Sequence, residues 1–167
     1  MIAELRSRQL PVFLADRYQF HDYRVISMHR LYVGLLPTSG HKPTYVSVIR
    51  TPHYAFARQV LTGEAAAPVA GYDDYQQYAS RHRRTSSPRA FEDLIASIRT
   101  NGYDAEEHPI LVFRFWRRPW PLTRWDVADG FHRLAVLAAM GETKVRVATL
   151  KPRRSAWQRF IARWSNP

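Results

Sequence analysis

The sequence predicts a single α/β domain, of the α+β kind, in which short helices pack on a small mixed sheet. Three observations indicate this class. The chain has 167 residues, of which 46% are apolar, enough for the core of one ordinary domain. Residues 125–150 have the pattern of a strand, a tight turn, a short helix and a second strand. A separate amphipathic helix is predicted at residues 89–100, and neither internal repeats nor a second domain are visible.

The first half of the chain is predicted to contribute strands and one well-marked helix. Apolar and charged residues partly alternate around Tyr23 and Val25, which is typical of a strand. Thr51 followed by Pro52 predicts a capped helix start. The predicted segments are, in order, a loosely attached arm (1–20), one or two strands (21–33), a Gly/Pro loop (37–43), a strand (45–49), a helix (53–61), a small-residue linker (63–71) and a short helix (72–78).

The second half contains the clearest helix and the unit that follows it. Ser87-Pro88 predicts the start of that helix, and Asn101-Gly102 predicts its end in a left-handed conformation. The predicted segments are a basic loop (80–89), the amphipathic helix (89–100), a buried strand (109–115), a Trp/Pro/Arg hairpin loop (117–124), a strand from 125, a short helix, a closing strand (144–150) and a C-terminal amphipathic helix (155–164).

The turn inside this unit is the most informative feature of the sequence. The strand that begins at Trp125 breaks at Asp129-Gly130, and helical spacing resumes at once. The turn therefore places Asp129, His132 and Arg133 together at a helix N-terminus. Backbone N–H groups and the helix dipole favour an anion there, and Arg133 adds a fixed positive charge with bidentate donors.

The composition narrows the classes of partner and chemistry. The formal net charge is +11, most of it from arginine, which favours phosphate-bearing partners such as nucleotides, nucleic acids or anionic lipids and saccharides. A merely soluble basic surface is the alternative. The absence of cysteine excludes disulfides, thiolate catalysis and cysteine metal sites. No Walker A sequence or His-Glu-x-x-His motif occurs. The lack of a long apolar run or signal-peptide core makes a cytoplasmic location the simplest expectation.

From Phe91 to Leu150 the order of elements resembles the ParB/sulfiredoxin-like fold. The resemblance rests on residues 94–102, 108–112 and 127–135, followed by Gly141 and the closing strand. Members of this family bind nucleotide at the turn that matches Asp129–Arg133. The residues that the resemblance places against a nucleotide are Gly130, Phe131, His132 and Arg133, with the Asn101-Gly102 loop as a further candidate.

The family includes partition proteins that bind CTP and DNA, sulfiredoxins that use ATP, and kinases for free serine. Phe131 stands where sulfiredoxins require a cysteine, so sulfiredoxin activity is excluded. Partition proteins carry consecutive arginines at this turn, whereas the present chain has Arg133 alone. The Asp-Gly-x-His-Arg form is nearer to the serine-kinase branch and to small relatives without an assigned chemistry.

The resemblance therefore implies a nucleotide-dependent, kinase-like phosphotransferase. The expected cofactor is ATP or ADP with Mg²⁺, and the expected acceptor is a small hydroxyl-bearing molecule such as a sugar or an amino acid. The alternative is a non-catalytic module that binds nucleic acid or nucleotide. Duplex DNA is expected to bind only weakly and without sequence preference.

Each residue of the turn has a functional and a structural interpretation. Asp129 is the candidate that orients the acceptor hydroxyl or holds Mg²⁺ on the nucleotide, or else it only caps the turn. His132 is a candidate phosphate ligand or general acid–base, or else a structural histidine. Arg133 is predicted to bind phosphate, with an ion pair to Asp126 or Glu142 as its alternative.

Candidates outside the turn are less specific. Glu107 or its neighbour Glu106 is a candidate base, because the loop before the strand 109–115 approaches the turn in this fold; the alternative is a solvated loop. Asn101-Gly102 is mainly a helix stop that could also touch a ligand. His53, at a predicted helix start, has the polarity for an anion site.

Two segments rich in aromatic and basic residues each have more than one interpretation. The hairpin residues 114–125 alternate arginines with Phe and Trp, which fits stacking on single-stranded nucleic acid, a grip on a sugar or nucleobase, or an ordinary strand pair. The tail has an apolar stripe that packs on the domain in one interpretation and contacts a membrane surface in the other. The residues of that stripe are Trp157, Phe160, Ile161 and Trp164.

Overall fold

Six strands form one mixed sheet, and helices cover it, which confirms the predicted α+β class. The structure is a computed structural model that describes residues 10–35, 43–63, 75–81, 87–114 and 124–153. The predicted C-terminal helix 155–164, most of the linker 63–71, half of the basic loop 80–89 and residues 115–123 of the Arg/Trp segment lie outside the described residues.

The order of strands across the sheet is β1-β6-β4-β5-β2-β3. The pairs β4·β6 and β2·β5 are parallel, and the other three neighbouring pairs are antiparallel. The strands are β1 Tyr18–Ser27, β2 Leu31–Leu35, β3 Thr44–Ser47, β4 Leu111–Arg114, β5 Trp125–Asp129 and β6 Lys144–Pro152. The predicted arm is therefore too long, because β1 begins at Tyr18, where its backbone pairs with β6.

The two longest helices, α2 and α4, begin where the sequence offers a side-chain cap. The Thr51 hydroxyl accepts the N–H of Tyr54 at the start of α2, and the Ser87 hydroxyl accepts the N–H of Ala90 at the start of α4. The helices are α1 Val12–Ala15, α2 Pro52–Thr62, α3 Tyr75–Arg81, α4 Pro88–Asn101 and α5 Phe131–Ala139. The predicted strand 45–49 ends early, because Val48–Arg50 forms a 3-10 turn that leads into α2.

The two faces of the sheet bury separate apolar clusters. The alternation along β6 shows this directly, since Val145 and Val147 belong to the larger cluster, which the helices α2–α5 share. Ala148 and Leu150 belong to the smaller cluster on the opposite face, with Leu14 of α1. Both faces of the central strands are therefore covered.

The sheet must curl, and the reason lies in the link between β1 and β2. Only the 3-10 turn Met28–Arg30 separates these strands, although three other strands stand between them in the sheet. Four strand spacings in a flat sheet span about 19 Å. The four Cα steps from Ser27 to Leu31 reach at most about 14 Å. The end of β1 is therefore drawn toward the start of β2 and β5.

Candidate functional site

The turn between β5 and α5 depends on Gly130. This residue has φ 88° and ψ 24°, in the left-handed region that other residues adopt only with strain. A Cβ atom at this position would lie 3.0 Å from Cγ1 and 3.1 Å from Cα of Ile110. Backbone conformation and lack of space thus both require glycine at this position.

The helix that follows starts without a side-chain cap. The Gly130 carbonyl accepts the Leu134 N–H at 3.0 Å, but glycine has no side chain to offer the preceding amides of the first turn. This differs from α2 and α4, where Thr51 and Ser87 fill that role. The N-terminus of α5 therefore has the donors and the polarity for an anion.

Asp129 and Arg133 lie on either side of this N-terminus. Their nearest oxygen and nitrogen, Oδ2 and Nη2, are 3.9 Å apart, and the side chains are 42% and 22% exposed. An ion pair this long and accessible adds little stability. The Arg133 guanidinium can therefore turn to a ligand anion without losing a strong internal bond.

The expected alternative partner of Arg133 is engaged elsewhere. The buried carboxylate of Asp126 accepts a hydrogen bond from Arg124 Nε at 2.8 Å. Burial raises the pKa of Asp126, and the Arg124 charge opposes that shift. Arg124 itself lies 4.7 Å from the ring centroid of Tyr32. In the structure Asp126 therefore pairs with Arg124, whereas Arg133 lies nearest to Asp129.

His132 points away from this exposed edge. Its Nε2 atom lies 2.7 Å from the hydroxyl oxygen of Tyr75, in a hydrogen bond whose donor depends on the ring tautomer. Burial, together with a smaller contribution from the neighbouring charge of Arg133, lowers the pKa of His132 to about 4. The ring is therefore neutral near pH 7 and supplies no positive charge for a phosphate.

His53 meets His132 inside a cluster of aromatic rings. The two imidazole centroids are 4.8 Å apart, and His53 is only 2% exposed. Each histidine is the second residue of its helix, so their contact joins the N-termini of α2 and α5. The other rings within 6.5 Å of His53 belong to Tyr75, Tyr78, Phe91 and Phe131. The structure thus places His53 in the core rather than at an open anion site.

Of the candidates after α4, Asn101, Gly102 and Glu106 line a separate cleft of about 430 Å³, and Glu107 is not among its lining residues. Its lining comprises residues 101–106 and Arg146, so the side chains of the turn are not among those lining residues. Glu106 pairs with Arg146 at 2.9 Å. Glu107 is 66% exposed, and both glutamate amides donate to Asp104 Oδ1. This arrangement fits the solvated-loop interpretation of both glutamates.

Tyr103 and Ile110 connect this cleft to the turn. The Tyr103 hydroxyl accepts the Ile110 N–H at 2.9 Å, and burial raises the pKa of Tyr103 to about 12. Ile110 is the residue that leaves no space for a Cβ atom at Gly130. Sequence reasoning identified neither of these contacts, nor Tyr75 as the partner of His132, because each joins segments whose packing no local pattern encodes.

No group of three or more His, Cys, Asp or Glu residues that could hold a metal occurs within the described ranges. Mg²⁺ commonly uses one or two carboxylates together with substrate phosphates. Asp129 is a single partly exposed carboxylate of that kind.

Comparison of the chain with protein-family models, with curated proteins and with solved structures gives no match. The likeness to the ParB/sulfiredoxin-like fold therefore stays a prediction. No helix in the part of the chain that the structure describes is long and apolar enough to cross a membrane.

Proposed function

We propose that this protein binds a nucleotide at the turn Asp129–Arg133 and transfers a phosphoryl group to a small hydroxyl-bearing acceptor, such as a sugar or an amino acid. The observation that carries this proposal is the geometry of the turn. An accessible carboxylate and an accessible guanidinium, 3.9 Å apart, flank a helix N-terminus that begins at a glycine.

Phosphoryl transfer requires mainly positioning and neutralisation of charge. In the proposed complex the amides of the first turn of α5 and Arg133 hold the phosphates of ATP or ADP. Asp129 orients the acceptor hydroxyl or contributes to binding Mg²⁺. The resemblance of the Asp-Gly-x-His-Arg turn to the serine-kinase branch supports the same assignment.

His132 is a positioning residue in this proposal. Its Nε2 is engaged with Tyr75 and its ring is neutral, so it fixes the start of α5 rather than carrying charge. Glu107 is the remaining candidate base, but its exposed place in an Asp104-capped turn favours Asp129 for that role.

A non-catalytic module that binds nucleotide or nucleic acid is the second candidate. The net charge of +11 favours it, because positive charge attracts polyanions whether or not chemistry follows. The two candidates differ at Asp129, since a binding module needs no carboxylate beside its phosphate site.

Asp129→Asn tests the proposal. The substitution keeps the shape of the side chain and removes its charge, so nucleotide affinity should stay within a few-fold of the parent. Phosphoryl transfer should fall by about 10², the scale of a positioned acid–base group. The measurements are initial rates with radiolabelled ATP against a panel of sugars and amino acids, and calorimetric titration of the nucleotide.

The matched control is Asp93→Asn, which removes an exposed carboxylate from α4. It should leave the rate and the affinity unchanged. Normal turnover in the Asp129 variant, together with a lower melting temperature, would make Asp129 a turn residue only. Nucleotide binding without transfer to any acceptor would favour the binding module.

A further inference from the structure

A second cleft lies at the other end of β5, away from the turn. Trp125 and Asp129 are the first and last residues of that strand, roughly 13 Å apart along an extended backbone. The cleft has a volume of about 230 Å³. Its lining residues are Arg24, Val25, Ile26, Ser27, Arg30, Arg114 and Trp125.

Three arginines from separate parts of the chain meet here. Arg24 comes from β1, Arg30 from the 3-10 turn after it, and Arg114 from the end of β4. The curl of the sheet brings them together, because the short link after β1 draws its end toward β4 and β5. The lining residues include no carboxylate, and the nearby Asp22 pairs with Arg24 Nε at 2.9 Å in an exposed contact. Three of the seven residues that line the cleft are therefore cationic.

Trp125 gives the cleft an aromatic wall. The guanidinium carbon of Arg24 lies 5.9 Å from the Trp125 ring centroid, near the outer limit of about 6 Å for a cation–π contact. The Arg24 side chain is 51% exposed, so a planar ligand can displace it at small cost. Val25, which is 67% exposed, adds an apolar rim. Trp125 is partly buried against the main core cluster, and it also lines the cleft. Arginines beside such an aromatic ring are the combination that holds a phosphate and stacks its base.

The size of the cleft selects the ligand. Pockets that enclose a small molecule usually measure roughly 300–1,000 Å³. At about 230 Å³ this cleft lies below that range, which fits the base of a longer strand better than an enclosed free nucleotide. In a duplex the bases are stacked on each other and do not reach a side wall such as Trp125.

We infer that this cleft binds single-stranded nucleic acid, with a base on Trp125 and backbone phosphates against Arg30 and Arg114. The net charge of +11 supplies the long-range attraction, and the cleft supplies the contact that a duplex cannot make. This site is independent of the proposed nucleotide site at Asp129–Arg133.

The test measures binding of a fluorescein-labelled 12-nucleotide oligo-dT to the full chain by anisotropy, at several NaCl concentrations. The variant Arg30→Gln/Arg114→Gln should lower the affinity at least tenfold at 50 mM salt. Because each lost phosphate contact on a single strand removes about 0.7 from the slope of log K against log salt, that slope should fall by about 1.4.

The matched control is Arg89→Gln/Arg99→Gln, which removes the same charge from two exposed positions on α4. It should change the affinity less than threefold and leave the slope as in the parent. Trp125→Leu, with folding checked by circular dichroism, should weaken binding without altering the slope, because stacking releases no counterions.

Four results would overturn the inference. Equal weakening by the α4 control would mean that only total charge matters. Binding of a hairpin duplex as tight as that of oligo-dT would contradict a contact specific to single strands. Absence of binding by the parent at 50 mM salt would contradict the site altogether. Saturating ADP with Mg²⁺ should not displace the strand; displacement would place both ligands at one site.

Discussion

At the scale of single residues, Gly130 is the position where the fold and the proposed site depend on the same atoms. Gly130→Ala should destabilise the protein by about 2–4 kcal/mol, which is the cost of a left-handed backbone for alanine plus that of overpacking against Ile110. Chemical denaturation followed by tryptophan fluorescence measures this change.

Gly63→Ala is the control for Gly130→Ala. Gly63 is also left-handed, with φ 75° and ψ −1°, but a Cβ there would meet no atom of the described residues within 4 Å. Its substitution should cost about 1 kcal/mol, from the backbone alone. Equal losses in the two variants would show that the contact with Ile110 contributes nothing.

The residues of the turn could be predicted because their signal is local. Asp129-Gly130 interrupts an apolar strand, and Arg133 follows at helical spacing, so the sequence alone brings both charges to one helix start. The partners of His132 could not be predicted. Tyr75 lies 57 residues earlier, and its approach depends on how two helices pack.

At the scale of elements, the two histidines join helices that are far apart in sequence. His53 and His132 link the N-termini of α2 and α5, and Tyr75 of α3 and Phe91 of α4 pack against them. This cluster holds α5, and therefore the proposed phosphate site, against the other helices.

The protonation of His132 should weaken this cluster in acid. The pKa of His132 is about 4 in the folded protein, below the ordinary value of 6.5, because burial disfavours its charged form. The unfolded chain therefore takes up the proton first. The stability associated with the neutral ring is complete above pH 6.5 and is lost as the pH falls toward 4.

His132→Gln removes this titration while keeping a side chain that can hydrogen-bond Tyr75. Its free energy of unfolding should fall less than that of the parent between pH 6.5 and pH 4, measured by urea denaturation at each pH. His108→Gln alters a histidine that is 64% exposed and should follow the parent. If the free energy of unfolding of His132→Gln changed with pH as that of the parent does, the acid sensitivity could not be assigned to His132.

Local elements were predictable, and their assembly was not. The helix expected at 89–100 occurs at Pro88–Asn101, and the strand, turn, helix and strand of the central unit occur in the predicted order. Periodicity determines those elements. The neighbours of β6 are β1 and β4, which are distant in sequence, and the curl that forms the Trp125 cleft follows from that pairing.

At the scale of the whole molecule, the net charge of +11 affects every binding experiment. Charges of one sign repel each other in the compact state, so added salt or any multivalent anion should raise the melting temperature. A rise in melting temperature on adding nucleotide is therefore insufficient by itself to identify a binding site. The comparison must be made against tripolyphosphate at matched ionic strength.

We expect ATP or ADP with Mg²⁺ to raise the melting temperature more than tripolyphosphate does. Ligand at 100 times its Kd adds about 2.7 kcal/mol of stability. For a chain of this length, that corresponds to an increase of roughly 5–10 °C in melting temperature. Arg133→Ala should remove most of the excess, because a charge-assisted hydrogen bond contributes about 1.5–3 kcal/mol to binding.

Tripolyphosphate should still raise the melting temperature of Arg133→Ala, because one arginine is a small part of the total charge. Arg99→Ala removes an equal charge from an exposed position on α4. It should keep both the stabilisation by tripolyphosphate and the additional stabilisation by the nucleotide. If tripolyphosphate stabilises the parent as much as the nucleotide does, or if Arg99→Ala loses the same excess as Arg133→Ala, the stabilisation comes from the overall field. The turn at Asp129–Arg133 would then hold no specific nucleotide.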